Sequence, residues 1–128
     1  MREVVADASL LVEVLVAPST PALGVLGDAV IHAPHLVDVE VTQALRGLHR
    51  AGTIEHAVAV GARVALLDIV THRYPHDVLL DRIWELRANL SAYDATYVAL
   101  AELLGFALLT CDRRLAIAPG LKCPVELA

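Results

Sequence analysis

The sequence predicts a three-layer α/β/α sandwich: a central parallel sheet of four to five strands covered by helices on both faces. Short apolar runs alternate with longer amphipathic segments along the chain, and those runs lack the polar interleaving of a half-solvated antiparallel strand. Size and composition agree. With 128 residues, 57% hydrophobic and 20% charged, the chain has material for one core and no second, so one domain over residues 1–128 is expected and disorder is excluded.

Each element has its own signal. Glu3 to Asp7 carries Val4-Val5 and halts at Asp7-Ala8-Ser9, after which Leu10 to Val16 reads as a helix. Pro18, Pro21 and Gly24 punctuate the next stretch, a short helix closes near Val30, and Ile31-His32-Ala33 forms a strand ended by Pro34. Val37, Val41, Leu45 and Leu48 recur at helical spacing before Gly52, which predicts a helix over 37–50. A further helix is expected from Ile54 to Leu67. The β-branched run Ile69-Val70-Thr71 predicts a strand within Asp68 to Tyr74, closed by Pro75 and followed by a helix from His76 to Asn89. Ser91 opens a helix ending at Gly105. Ala107 to Thr110 is a strand, Asp112 to Ala116 a brief helix, and Pro124 to Leu127 an edge strand that tolerates its leading proline.

The apolar fraction exceeds what a small interior absorbs, so a subunit or partner interface is expected, with a homodimer as the simplest symmetric solution. No run reaches the roughly 18 apolar residues of a membrane span, because Glu102 interrupts the candidate between Ala95 and Leu109. The N-terminus turns polar at Asp7 without an export signal, and Cys111 and Cys123 lack zinc-ligand spacing. A cytoplasmic protein with reduced thiols is expected. The net charge of -5 argues against nucleic-acid binding unless the acids hold cations. Nine of the ten basic residues are arginine, which suits phosphate contacts, although base composition explains the bias equally well.

Three acids share a position. Asp7 follows the first strand, Asp112 the fourth, and Asp94 lies in the first turn of the intervening helix. Singly, each reads as an ordinary capping residue, with Ser91 and Asp94 spaced as a capping box. Together they stand beyond the carboxyl ends of strands, where open parallel sheets bind ligands. The helix over 37–50 carries two more acids, Asp38 and Glu40, roughly 200° apart around its axis. Only one can face a shared site, and periodicity does not choose.

These motifs resemble the PIN-domain nucleases, and within them the VapC toxins of VapBC toxin-antitoxin systems. The resemblance covers nearly the whole chain: the strand with Asp7-Ala8-Ser9, Pro34 through Leu45 with Glu40, Leu90 through Glu102 around Asp94, and Leu109-Thr110-Cys111-Asp112-Arg113-Arg114-Leu115. It implies a PIN-like sandwich, a catalytic metal site of Asp7, Glu40, Asp94 and Asp112, and endoribonuclease activity with Mg²⁺ or Mn²⁺. It also implies a VapB-like antitoxin partner. Arg114 stands where many relatives have a further acid, which puts the ligands of a second metal in doubt.

Carboxylates without histidine or thiolate favour such hard cations, which keep waters and bind phosphate oxygens. Ser9 and Thr110 are candidates to orient a carboxylate or water, and Arg46, Arg87 and Arg113 to contact phosphate. His72 and His76 are separated by Pro75 and do not read as a zinc pair. Trp84, with Leu80 and Ile83, reads as core or dimer interface. Tyr93 and Tyr97 flank Asp94 and suit either base stacking or, more plainly, packing. A receiver domain would need an acidic pair after the first strand, and a haloacid-dehalogenase-like phosphatase a second aspartate at Ser9. Neither fits. An RNA-processing PIN nuclease or a silent RNA- or protein-binding PIN module remains the alternative, to be separated by metal-dependent turnover and by toxicity.

Overall fold

The computed structural model describes residues 1–18 and 20–128; Ser19, inside the predicted loop after the first helix, lies outside them. Five strands, β1 (Glu3–Ala6), β2 (Val30–Pro34), β3 (His72–Tyr74), β4 (Ala107–Thr110) and β5 (Val125–Leu127), form one sheet in the order β3-β2-β1-β4-β5. Every neighbouring pair is parallel. The fold class predicted from alternation is therefore the one observed. Parallel strands are buried on both faces, and Val4, Val5, Leu108 and Leu109 are fully buried accordingly.

The helices are α1 (Ala8–Val16), α2 (Pro21–Leu26), α3 (Leu36–Arg50), α4 (His56–Ile69), α5 (Leu80–Glu85), α6 (Ala92–Leu104) and α7 (Arg113–Ala116). From β1 the chain steps outward through β2 to β3, with α1, α3 and α4 packed on one another. It then crosses back on α5 and α6, which pack together, and enters β4 on the other side of β1. Strand order thus reverses between β1 and β4, where a parallel sheet opens a crevice at its carboxyl edge. The register Ala6↔Leu109 and the Asp7 N–H to Leu109 carbonyl bond of 3.1 Å bring the residues that leave these strands side by side.

Three predicted boundaries move, the first being the short helix expected to close near Val30, which ends at Leu26 with Gly27 as its cap and leaves Val30 to open β2. The β-branched run 69–71 is not a strand: α4 continues through Ile69, and β3 comprises only His72–Tyr74. Tertiary contacts override propensity here. Leu66 and Val70 are buried, and the Arg73 guanidinium donates to the carbonyls of Leu66 (3.1 Å) and Val70 (3.2 Å), satisfying the helix end. The helix expected over 76–89 is a 3₁₀ turn at Asp77–Leu79, a short α5 and then turns. Leu79 and Leu86 are its buried anchors.

The β1–β2–β3 half is pinned by a buried imidazole. His32 lies 2.9 Å from Glu3 Oε1 through Nε2 and 2.6 Å from the Tyr74 hydroxyl through Nδ1, and it stacks on His72 at 4.8 Å. A carboxylate only accepts, so Nε2 carries the proton toward Glu3 and, in the neutral ring, Nδ1 accepts from Tyr74. His76 is employed elsewhere, its Nε2 accepting the Leu36 N–H at 2.9 Å at the start of α3. His76 is thereby committed to the start of α3, and His72 stacks on His32.

Candidate active site

Asp7 is the anchor of the site. It caps α1, its Oδ1 accepting the Leu10 N–H at 3.0 Å and the Ser9 hydroxyl at 2.7 Å, while Oδ2 accepts the Thr110 hydroxyl at 2.5 Å. The capping reading and the site reading of Asp7 are compatible. Both hydroxyl protons go to Asp7, so the 3.3 Å approach of the Ser9 and Thr110 oxygens is a contact rather than a further hydrogen bond. Ser9 Oγ also accepts the Cys111 N–H, and Thr110 Oγ1 the Asp112 N–H, each at 3.0 Å. Two short side chains thus tie the end of β1 to the end of β4. Burial raises the Asp7 pKa against these hydrogen bonds, and the Asp94 charge adds to the rise.

Glu40 and Asp38, indistinguishable by helical spacing, are separated by packing. Asp38 binds Arg73 through both oxygens, at 2.8 and 2.9 Å, on the β3 side of α3. Glu40 instead accepts the hydroxyl of the buried Tyr97 at 2.6 Å. Its pKa is raised by burial and by the charges of Asp94 and Asp7, opposed by Tyr97. The same surroundings push the Tyr97 phenol strongly upward, burial first and the Glu40 bond second, so it stays a donor. The sequence placed Tyr97 beside Asp94 without showing that it reaches Glu40. The three-residue spacing was the available signal, since it puts both side chains on one side of α6.

Asp94 sits in the first turn of α6, its N–H donating to Ser91 Oγ at 3.1 Å. Burial and then the Asp112 charge raise its pKa. Asp112 differs. It caps α7, and although burial acts upward, hydrogen bonds from the Arg114 side chain and amide hold its carboxyl below the usual range. The Arg114 guanidinium is 3.4 Å away and almost wholly exposed.

The four acids therefore form an electrostatically coupled group around the switch point. They do not form a finished cage: among the described residues no three His, Cys, Asp or Glu side chains are grouped to hold a cation. Asp94 and Asp112 open with Ser91 and Arg114 into a cleft of about 350 Å³. Glu40 and Ser9 stand instead in a larger groove of about 760 Å³ between α1 and α3, whose walls include Val12, Val16, Ala44 and Leu48. The donor set nevertheless fits a hard divalent cation. All the ligands offered are oxygens, and Asp7, Glu40 and Asp94 repel one another with no salt-bridged base among the described residues.

Two of the arginines expected to contact phosphate lie away from the four acids. Arg46 lies roughly 240° around α3 from Glu40 and lines a different cleft, with His49, His56 and Arg63. Arg87 folds onto its own turn, its guanidinium 4.5 Å from the Trp84 ring centroid and Nη1 donating to the Trp84 carbonyl at 2.8 Å. Arg113 adjoins Asp112 at the surface. Trp84 is not core: it is 67% exposed.

A small parallel α/β domain with acids delivered to the switch point by β1, α3, α6 and β4 is a recognisable class of protein. The PIN domain family matches residues 4–121. Ribonuclease VapC1 of Mycobacterium tuberculosis is 43% identical over 131 aligned positions, covering 99% of this chain and 98% of that protein. Ribonuclease VapC3 of the same organism is 39% identical, covering 90% and 86% respectively. Among solved structures, PAE2754 from Pyrobaculum aerophilum superposes with a TM-score of 0.71 at 28% identity, over 98% of this chain and 84% of that one. The chain belongs to the PIN-domain family, in its VapC group.

Proposed function

We propose that this protein is a single-domain endoribonuclease that acts as the toxin of a type II toxin-antitoxin pair and depends on Mg²⁺ or Mn²⁺. The observation that carries the reading is the coupled set Asp7, Glu40, Asp94 and Asp112 at the switch point, in a chain that is 43% identical to a VapC ribonuclease. These four residues would hold the cation, which when bound supplies an activated water and offsets charge developing on the phosphate. The chain's own task is geometry. Ser9 and Thr110 fix both oxygens of Asp7, Tyr97 orients Glu40, and Asp94 and Asp112 bound the cleft that receives the scissile phosphate.

The partner is proposed from the α1–α3 groove. Its lining is mainly apolar, with Glu13 and Thr53 among the walls and Ser9 and Glu40 within it, so it fits the apolar face of an antitoxin helix whose arginine or lysine reaches the acids. Exposed Val78, Leu80 and Trp84 on the α5 segment support a homodimer interface elsewhere. Among the described residues no helix is long and apolar enough to cross a membrane; a cytoplasmic site of action is part of the proposed toxin role. Induction of the chain in a bacterial host, with 5′ ends of RNA mapped soon afterwards, tests the reading. Growth arrest and new ends that require Asp7 and vanish with the adjacent antitoxin gene are expected. Equal harmlessness of wild type and Asp7→Asn at equal soluble levels in the native host would remove the toxin role.

A further inference from the structure

The cationic side chains of this molecule are unevenly committed. Arg2, Arg73, Arg82 and Arg114 pair with Glu126, Asp38, Glu102 and Asp112. Arg87 covers Trp84. Arg46, Arg50, Arg63, Arg113 and Lys122 are exposed with no carboxylate partner among the described residues, and the first three of these lie on α3 and α4.

Two of the three meet. Arg46 and Arg63 line a cleft of about 230 Å³ between α3 and α4 together with His49, His56 and Thr42, over Leu45 and Ala59. The two imidazole rings lie 5.6 Å apart. Among the described residues no acid lines the cleft, although the chain as a whole carries -5. A helix is roughly 10–12 Å across, too wide for so small a cleft, whereas one phosphodiester group with its five-donor arginine partners matches it in size and charge.

The position has a consequence for catalysis. Arg46 is six residues beyond Glu40, about 9 Å along α3 and about 120° around its axis. A polyanion bound here cannot also be at the bond being cut, but it can belong to the same strand after crossing α3. The acids at the switch point repel a phosphate backbone, so affinity has to come from fixed positive charge away from them.

We propose that the α3–α4 cleft, walled by Arg46, Arg63, His49 and His56, docks the phosphodiester backbone of the RNA substrate on one side of the scissile bond. This rests on the ribonuclease reading. The test uses Asp7→Asn protein as a non-cutting parent and a fluorescein-labelled single-stranded RNA of about 20 nucleotides, with anisotropy read from about 50 to 200 mM NaCl. Arg46→Gln/Arg63→Gln in that parent is expected to weaken binding about tenfold and to flatten the log–log salt slope by about 1.4, the value for two single-strand phosphates. Lys122→Gln is the control and should leave both unchanged. Glutamine is a good helix former, and an unchanged far-UV spectrum verifies that the double variant is folded.

An unaltered affinity and slope in the double variant would overturn the proposal while leaving the ribonuclease reading intact. Loss of polyglutamate binding with RNA binding unaffected would overturn it too, by giving the cleft to an acidic protein partner. Absence of RNA cleavage by wild type and of RNA binding by the parent would instead bring down the ribonuclease reading, and this proposal with it.

Discussion

Removal of one oxygen atom, in Tyr97→Phe, separates a packing role from a positioning role. The ring is buried and its hydroxyl makes one hydrogen bond, 2.6 Å to Glu40 Oε1. Hydrogen bonds to charged groups contribute about 1.5–3 kcal/mol, and Glu40 is only half-buried, so water replaces part of the loss. A destabilisation of about 1.5 kcal/mol follows, or roughly 5 °C in Tm for a domain of this size. Activity should suffer more than stability, because loss of a group that orients a metal-holding carboxylate typically costs about 10- to 100-fold. The pH profile gives the decisive readout. Tyr97 opposes the rise that burial, Asp94 and Asp7 impose on Glu40, so without it the Glu40 pKa climbs further and the acid limb of the cleavage profile moves to higher pH. Cleavage of a labelled RNA across pH, with thermal melts in parallel, reads all three effects. Activity within twofold of wild type, with an unmoved acid limb, would show that Tyr97 is core and nothing else.

The remaining expectations concern charge and assembly. Asp7, Glu40 and Asp94 have raised folded-state pKa values, so their contribution to metal-free stability is greatest below their unfolded values, about 4, and is lost as pH rises through the folded ones. Glu102, Asp112 and Glu126 are lowered and run the other way, their contribution lost as pH falls. Urea unfolding in EDTA should therefore find wild type losing stability relative to Asp7→Asn as pH rises above about 4; a constant difference would contradict the raised Asp7. Arg114→Ala removes the cation beside Asp112, so Mn²⁺ titration should show several-fold tighter binding at low salt, and unchanged affinity would mean that Asp112 is not a ligand. Leu80→Glu with Trp84→Glu should convert a dimer to a monomer in light scattering, and an intact dimer would move the interface away from α5.

What was legible in the sequence was local. β1 and β4 announce themselves as short apolar runs, Asp7 as the polar stop immediately after the first and Asp112 as the one two residues after the second. Features that depend on distant partners were not legible. The extension of α4 over Ile69 depends on capping by Arg73 from the following strand. The Tyr97–Glu40 bond joins residues 57 apart, and the His32–Glu3 contact residues 29 apart. Glu40 could be preferred to Asp38 only through the family resemblance; in the structure Arg73 occupies one and Tyr97 the other, so the two acids point to different surroundings. Arg46 was expected at phosphate from its residue type alone, and that it lines a basic cleft with Arg63, His49 and His56, apart from the acids, depends on how α3 packs on α4.

The central claim is that these carboxylates cut RNA by holding a divalent cation, and one measurement addresses it directly. Purified wild type, Asp7→Asn, Glu40→Gln and Asp38→Asn proteins are incubated with a labelled RNA pool in Mn²⁺ or in EDTA, and cleavage is followed as a time course. Cleavage is expected by wild type and Asp38→Asn in Mn²⁺, loss by orders of magnitude in Asp7→Asn and Glu40→Gln, and none in EDTA. Undiminished cleavage in EDTA, or an Asp7→Asn protein as active as wild type, would contradict it.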